Sequence, residues 1–66
     1  MTFDEQVIAL IDEVKASGRN EDRLHRAFDL NNQRWKKETK KYCGGCVNRV
    51  FKRLTDHYNF IKNGNA

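Results

Sequence analysis

A chain of 66 residues makes one domain at most and hides only about 60% of the surface its unfolded form exposes, so its own core must be small. With 33% charged and 38% apolar residues, four glycines and no proline, it is neither collagen-like nor disordered, and the composition suits a small helical protein. No apolar run approaches the ~20 residues of a membrane span, and no basic stretch followed by an apolar one stands at the N-terminus, so a cytoplasmic protein with no membrane contact is expected.

Charge divides the chain unequally. Residues 1–31 hold four basic and seven acidic side chains, a net −3, whereas residues 32–66 hold nine and two, a net +7. Such polarity suits head-to-tail self-association, or the presentation of a basic half to nucleic acid or to an acidic protein surface.

The first element is a helix over residues 3–16. Thr2 and Glu5 have the spacing of a capping box, Asp4 and Glu5 suit a helix N-terminus, and Phe3, Val7, Leu10 and Val14 recur every three or four residues. Gly18 can take the left-handed conformation that ends it. Asn20, followed by Glu21 and Asp22, begins a second helix whose buried face is Leu24, Ala27 and Phe28. The periodicity supports this helix over 21–30; "NNQ" at 31–33 reads as a turn, with a short helical stretch around Trp35, and the alternative is a continuous helix to about 41. The third helix, 45–62, is the most regular. Cys43, Val47, Val50, Leu54, Tyr58 and Ile61 form its stripe, Cys46, Phe51 and His57 flank it, and Asn63 and Gly64 stop it. No stretch alternates as a strand does. The expected fold is all-α, a single three-helix domain with short connections.

Cys43 and Cys46 stand at C-x-x-C, which is half of a zinc site. His57, eleven residues beyond Cys46 on one helix, lies about 16 Å away and cannot share an ion with the pair. His25 on a neighbouring helix, or the same two cysteines of a second subunit, would be needed to complete it. A redox pair at the helix N-terminus is a second reading, because the helix dipole there lowers thiol pKa, although no βαβ context accompanies it. The third reading, favoured here, makes both cysteines small apolar packing residues on the helix-3 face, with no cofactor.

Lys36, Lys37, Lys40 and Lys41 cluster, and Arg49, Lys52 and Arg53 add positive charge outside the helix-3 stripe. A basic third helix invites comparison with the helix-turn-helix, in which Asn48 and Arg49 would reach base edges and the lysines phosphates. Trp35, Val47, Val50, Leu54 and Tyr58 are the candidates for a protein interface. No nucleophile with a base and orienter, no glycine-rich phosphate loop and no paired carboxylates are recognisable, so no enzymatic activity and no small-molecule substrate are expected.

The segment "YCGGCVNRVFKRLTDHYN", residues 42–59, opens with a C-x-x-C and continues as a basic, apolar-striped helix closed by aromatic residues. In this it resembles small accessory proteins of tailed bacteriophages, notably crAss-like ones, with Cys43, Cys46, Val47, Arg49, Val50, Leu54 and Tyr58 the matching positions. The resemblance covers about a quarter of the chain. It implies a helical protein attached to a virion or acting on phage nucleic acid, found in the host cytoplasm and the particle. The sequence is therefore read as a non-enzymatic accessory protein that docks onto a larger assembly or onto itself, with a small DNA- or RNA-binding regulator as the alternative.

Overall fold

The computed structural model describes residues 1–40 and 43–64, and among these it contains three helices and no strand: α1 (Phe3–Ser17), α2 (Glu21–Arg34) and α3 (Gly44–Lys62). Both predicted N-caps form. Thr2 Oγ1 accepts from the Glu5 N–H at 3.2 Å while Glu5 Oε1 accepts from the Thr2 N–H at 2.9 Å, and Asn20 Oδ1 accepts from the Arg23 N–H at 2.8 Å. Gly18 ends α1 at φ +81°, a backbone region that L side chains rarely adopt, and its N–H donates to the Val14 carbonyl at 2.7 Å.

Three residues separate α1 from α2, so these helices lie antiparallel, with Glu13 opposite Arg26 and Asp4 opposite Arg34. The second connection is different. Nine residues, 35–43, carry the chain back along the bundle, so α3 runs antiparallel to α1, with His57 against Asp4 and Asn48 against Arg19. It is consequently parallel to α2, with Arg53 against Asn31 and His57 against Trp35. Parallel neighbours need a connection as long as the helices they join, which a tight turn cannot supply.

The core draws on every helix: Val7, Leu10 and Ile11 from α1, Ala27, Phe28 and Leu30 from α2, and Val50, Phe51, Leu54 and Tyr58 from α3. Full burial of each large apolar side chain contributes about 1.5–3 kcal/mol. Phe28, the largest of the fully inaccessible side chains, sits within this cluster.

Two expectations are corrected here. The helix around Trp35 does not form: α2 continues through the whole of "NNQ" to Arg34, and Trp35 is its extended C-cap, with φ −124° and ψ −173°. The reason is that Asn31 and Asn32 keep the helical backbone while their side chains bind the chain that follows. Val50, Leu54 and Tyr58, offered as a partner interface, are 0%, 0% and 8% exposed, because the helix-3 stripe fills the core of its own domain. Val47 is half-buried and packs on the edge of that core.

Candidate docking interface

What remains at the surface is concentrated where α1 begins and α2 and α3 end. Phe3, Trp35 and His57, from three different helix ends, meet edge to face with ring centroids 5.6–5.7 Å apart. Edge-to-face packing of this kind sets a ring's positive rim against a neighbour's negative face. Phe60, one turn beyond His57, stacks on it at 6.4 Å and an 11° interplanar angle and is 51% exposed. His57 is fixed in place by Asp4, its Nε2 lying 2.8 Å from Asp4 Oδ1, and the Arg34 guanidinium stands 4.9 Å from the centre of the Phe3 ring. An exposed phenyl ring thus stands on a base of aromatic side chains that cannot readily rotate away.

Beside it runs the connection from Trp35 towards Cys43, and α2 holds this segment by its asparagines. Asn31, fully buried, donates through Nδ2 to the Lys36 carbonyl at 3.0 Å and to Asn32 Oδ1 at 2.9 Å, and its Oδ1 accepts from Arg53 Nη1 at 3.0 Å. Asn32 pairs with the Glu38 backbone in both senses, accepting from its N–H at 2.8 Å and donating to its carbonyl at 2.9 Å. The Glu38 carboxylate, only 12% exposed, then accepts from Arg49 Nη1 at 3.1 Å. A segment without regular structure is therefore pinned at Lys36 and at Glu38, and tied to both α2 and α3.

The predicted basic residues fall into two groups. On α3, each already has a partner within the molecule: Arg49 has Glu38, Lys52 has Asp56 at 3.6 Å, and Arg53 has Asn31. Lys36, Lys37 and Lys40 are exposed on the pinned segment and make no ion pair among the described residues. Lys41, the remaining member of the predicted cluster, lies outside the described residues. Asn48, suggested as a base-reading side chain, accepts from Arg19 at 3.1 Å, and the nine-residue connection is more than twice the roughly 3–4 residues of a helix-turn-helix turn. Of the predicted basic residues, those without an ion-pair or side-chain hydrogen-bond partner among the described residues lie on the connection.

The chain matches no protein-family model, no curated protein and no solved structure. Its site is read from its own side chains.

The cysteines are not core residues. Cys43 is the exposed N-cap of α3 and Cys46, in its first turn, is half-buried, so the expected packing role is corrected: both lie N-terminal to the point where the stripe enters the core at Val50. His25 lies 4.0 Å from Glu21 on α2, and among the described residues no three His, Cys, Asp or Glu side chains come together as a group able to hold a metal ion.

The Phe3–Trp35–His57–Phe60 cluster could not be read from the sequence. Asp4 and His57 are 53 residues apart, and the local patterns that include them say nothing of their meeting; Trp35 was singled out as the sole tryptophan.

Proposed function

We propose that this chain is a non-enzymatic helical accessory protein that docks onto a larger assembly through the Trp35–Phe60 face and the adjoining lysines. The observation that carries the reading is the placement of a half-exposed phenyl ring, stacked on His57 next to Trp35, at the start of a lysine-bearing segment, with Lys36 and Lys37 following Trp35 on the chain pinned by Asn31 and Asn32. A rigid aromatic anchor with a charged rim is the usual make-up of an interface hot spot. Its partner surface is acidic around an apolar pocket. The resemblance of residues 42–59 to tailed-phage accessory proteins points to a bacteriophage particle as that assembly, with the chain in the host cytoplasm before it is incorporated.

The test is co-sedimentation of the chain with gradient-purified particles. Wild type is expected in the particle fractions, and Phe60→Ser combined with Lys36→Glu, Lys37→Glu and Lys40→Glu is expected to be absent from them while keeping its helical circular dichroism. Full occupancy by this folded variant would overturn the reading.

The same lysines support a second reading, a small nucleic-acid binder, with Trp35 and Phe60 as stacking platforms. Three phosphate contacts give a log Kd against log salt slope of about 3 in magnitude for duplex DNA. Fluorescence anisotropy with a labelled oligonucleotide separates the two. Binding with that slope, lost when Lys36, Lys37 and Lys40 are neutralised, favours the nucleic acid.

A further inference from the structure

From the exposure and placement of Cys43 and Cys46 on the first turn of α3, we propose that these residues form a thiol–disulfide exchange site, with Cys43 the attacking thiolate and Cys46 the resolving thiol. The inference stands apart from the docking reading, because the pair lies at the opposite end of α3 from His57 and Phe60.

Three features of the fold carry it. Cys43 is solvent-exposed at the N-cap, and Cys46 occupies the third helical position after it. With Gly44 and Gly45 helical, the two Cα atoms are about 5 Å apart by helix geometry, inside the roughly 4.4–6.8 Å window of a disulfide. The turn can therefore close an intramolecular disulfide without unwinding. The surface at Gly44 and Gly45 is also open: among the described residues, a methyl group added at either would meet nothing within 4 Å beyond its chain neighbours and the helix's own backbone.

The surroundings divide the two thiols by role. The Cys43 side chain makes no cap hydrogen bond of the kind Thr2 and Asn20 make, and it is exposed at the start of α3. The adjacent Cys46 thiol lowers the Cys43 pKa most, the Cys46 and Gly45 backbone and the charge of Lys40 add to this, and burial opposes it. Cys46 is pushed up, first by the adjacent Cys43 thiol, then by burial and by the nearby charges of Cys43 and Glu38, with Arg49 opposing. Cys43 is also the exposed thiol and Cys46 the half-buried one, so an incoming disulfide meets Cys43 first. Once Cys43 is capped in a mixed disulfide, Cys46 is the neighbouring thiol placed to attack it.

The reaction follows from this order. The Cys43 thiolate attacks one sulfur of a disulfide RS–SR, a Cys43 S–SR bond forms, and RS⁻ leaves and takes a proton from water. Cys46 then loses its proton to solvent and attacks the Cys43 sulfur, closing Cys43–Cys46 and releasing the second RS⁻, which is protonated in turn. Two protein thiols are oxidised and one disulfide is reduced to two thiols. The co-reactant is a low-molecular-weight or exposed protein disulfide.

The probe is oxidised glutathione, added to the reduced full chain at neutral pH, with acid quenching and mass spectrometry. Wild type is expected to lose two hydrogens with only transient glutathione adduct. Cys46→Ser is expected to accumulate one stable adduct at residue 43, and Cys43→Ser to react about tenfold more slowly than wild type. Serine is itself a good N-cap, so Cys43→Ser keeps the helix start and its slower reaction is not a folding defect. Alkylation by iodoacetamide is expected to label Cys43 about tenfold faster than Cys46. A persistent wild-type adduct that never resolves, or equal reactivity of the two thiols, would overturn the proposal.

Discussion

Replacing Asn31 by Ala tests whether one buried amide organises the connection between α2 and α3. Three hydrogen bonds converge on it, from its Nδ2 to Lys36 O and Asn32 Oδ1 and from Arg53 to its Oδ1. Two neutral bonds at about 0.5–1.5 kcal/mol each and one charge-assisted bond at about 1.5–3 kcal/mol set an upper range of about 2.5–6 kcal/mol. Arg53 and Asn32 are only half-buried and recover water when their partner goes, so the lower part of that range applies, about 3 kcal/mol. A domain of 66 residues has about 3–10 kcal/mol in all, so this one amide accounts for a large share of it. With a urea m-value near 1 kcal/mol/M, the midpoint should fall by about 3 M. Asn32→Ala, at the half-buried position, frees Glu38 and should cost less, yet trypsin should then cut after Lys36, Lys37 and Lys40 several times faster than in wild type. A loss below about 0.5 kcal/mol for Asn31→Ala at unchanged m, with tryptic rates unaltered, would refute the reasoning.

Leu54→Ala, at a site with no solvent exposure, should cost about 2–5 kcal/mol by urea denaturation, and Val50→Asp should leave the chain without a cooperative transition. Glu13 chelates Arg26 through two 2.8 Å hydrogen bonds that hold its carboxyl below the ordinary range. Its contribution is therefore present above the unfolded carboxyl pKa and lost as pH falls through the lower folded value, so the urea-midpoint gap between wild type and Glu13→Gln should close below about pH 4. Tyr58 donates to Asp12 at 2.7 Å, and this bond raises its phenol pKa. That stability is complete below the unfolded phenol pKa of about 10 and is lost as pH rises beyond it. In a Tyr42→Phe background, the tyrosinate absorbance of Tyr58 should appear at higher pH than that of free tyrosine. Phe60→Ala should weaken docking about fivefold, the equivalent of about 1 kcal/mol for the half ring it leaves exposed, with unchanged thermal stability; equal affinity would exclude the ring as an anchor.

Local chemistry fixed the helices. The Thr2–Glu5 capping box, the Asn20 cap and Gly18 act within four residues of the backbone they close, and the Phe3–Val14 and Val47–Tyr58 stripes need only helical periodicity to be seen, so the all-α fold and its three elements were legible without any tertiary information. The end of α2 was not. Asn31, Asn32 and Gln33 have the composition of a turn, and only the arrival of Lys36, Glu38 and Arg53 at their amides makes a continued helix the better outcome. An apolar stripe, likewise, says that a face will be covered and not by what; closure of α3 onto α1 and α2 decided that Val50, Leu54 and Tyr58 face inward and left Phe60 with the lysines outside. The roles of Cys43 and Cys46 turned on where the core begins along α3, a distance set by packing between helices and not by the spacing of the cysteines themselves.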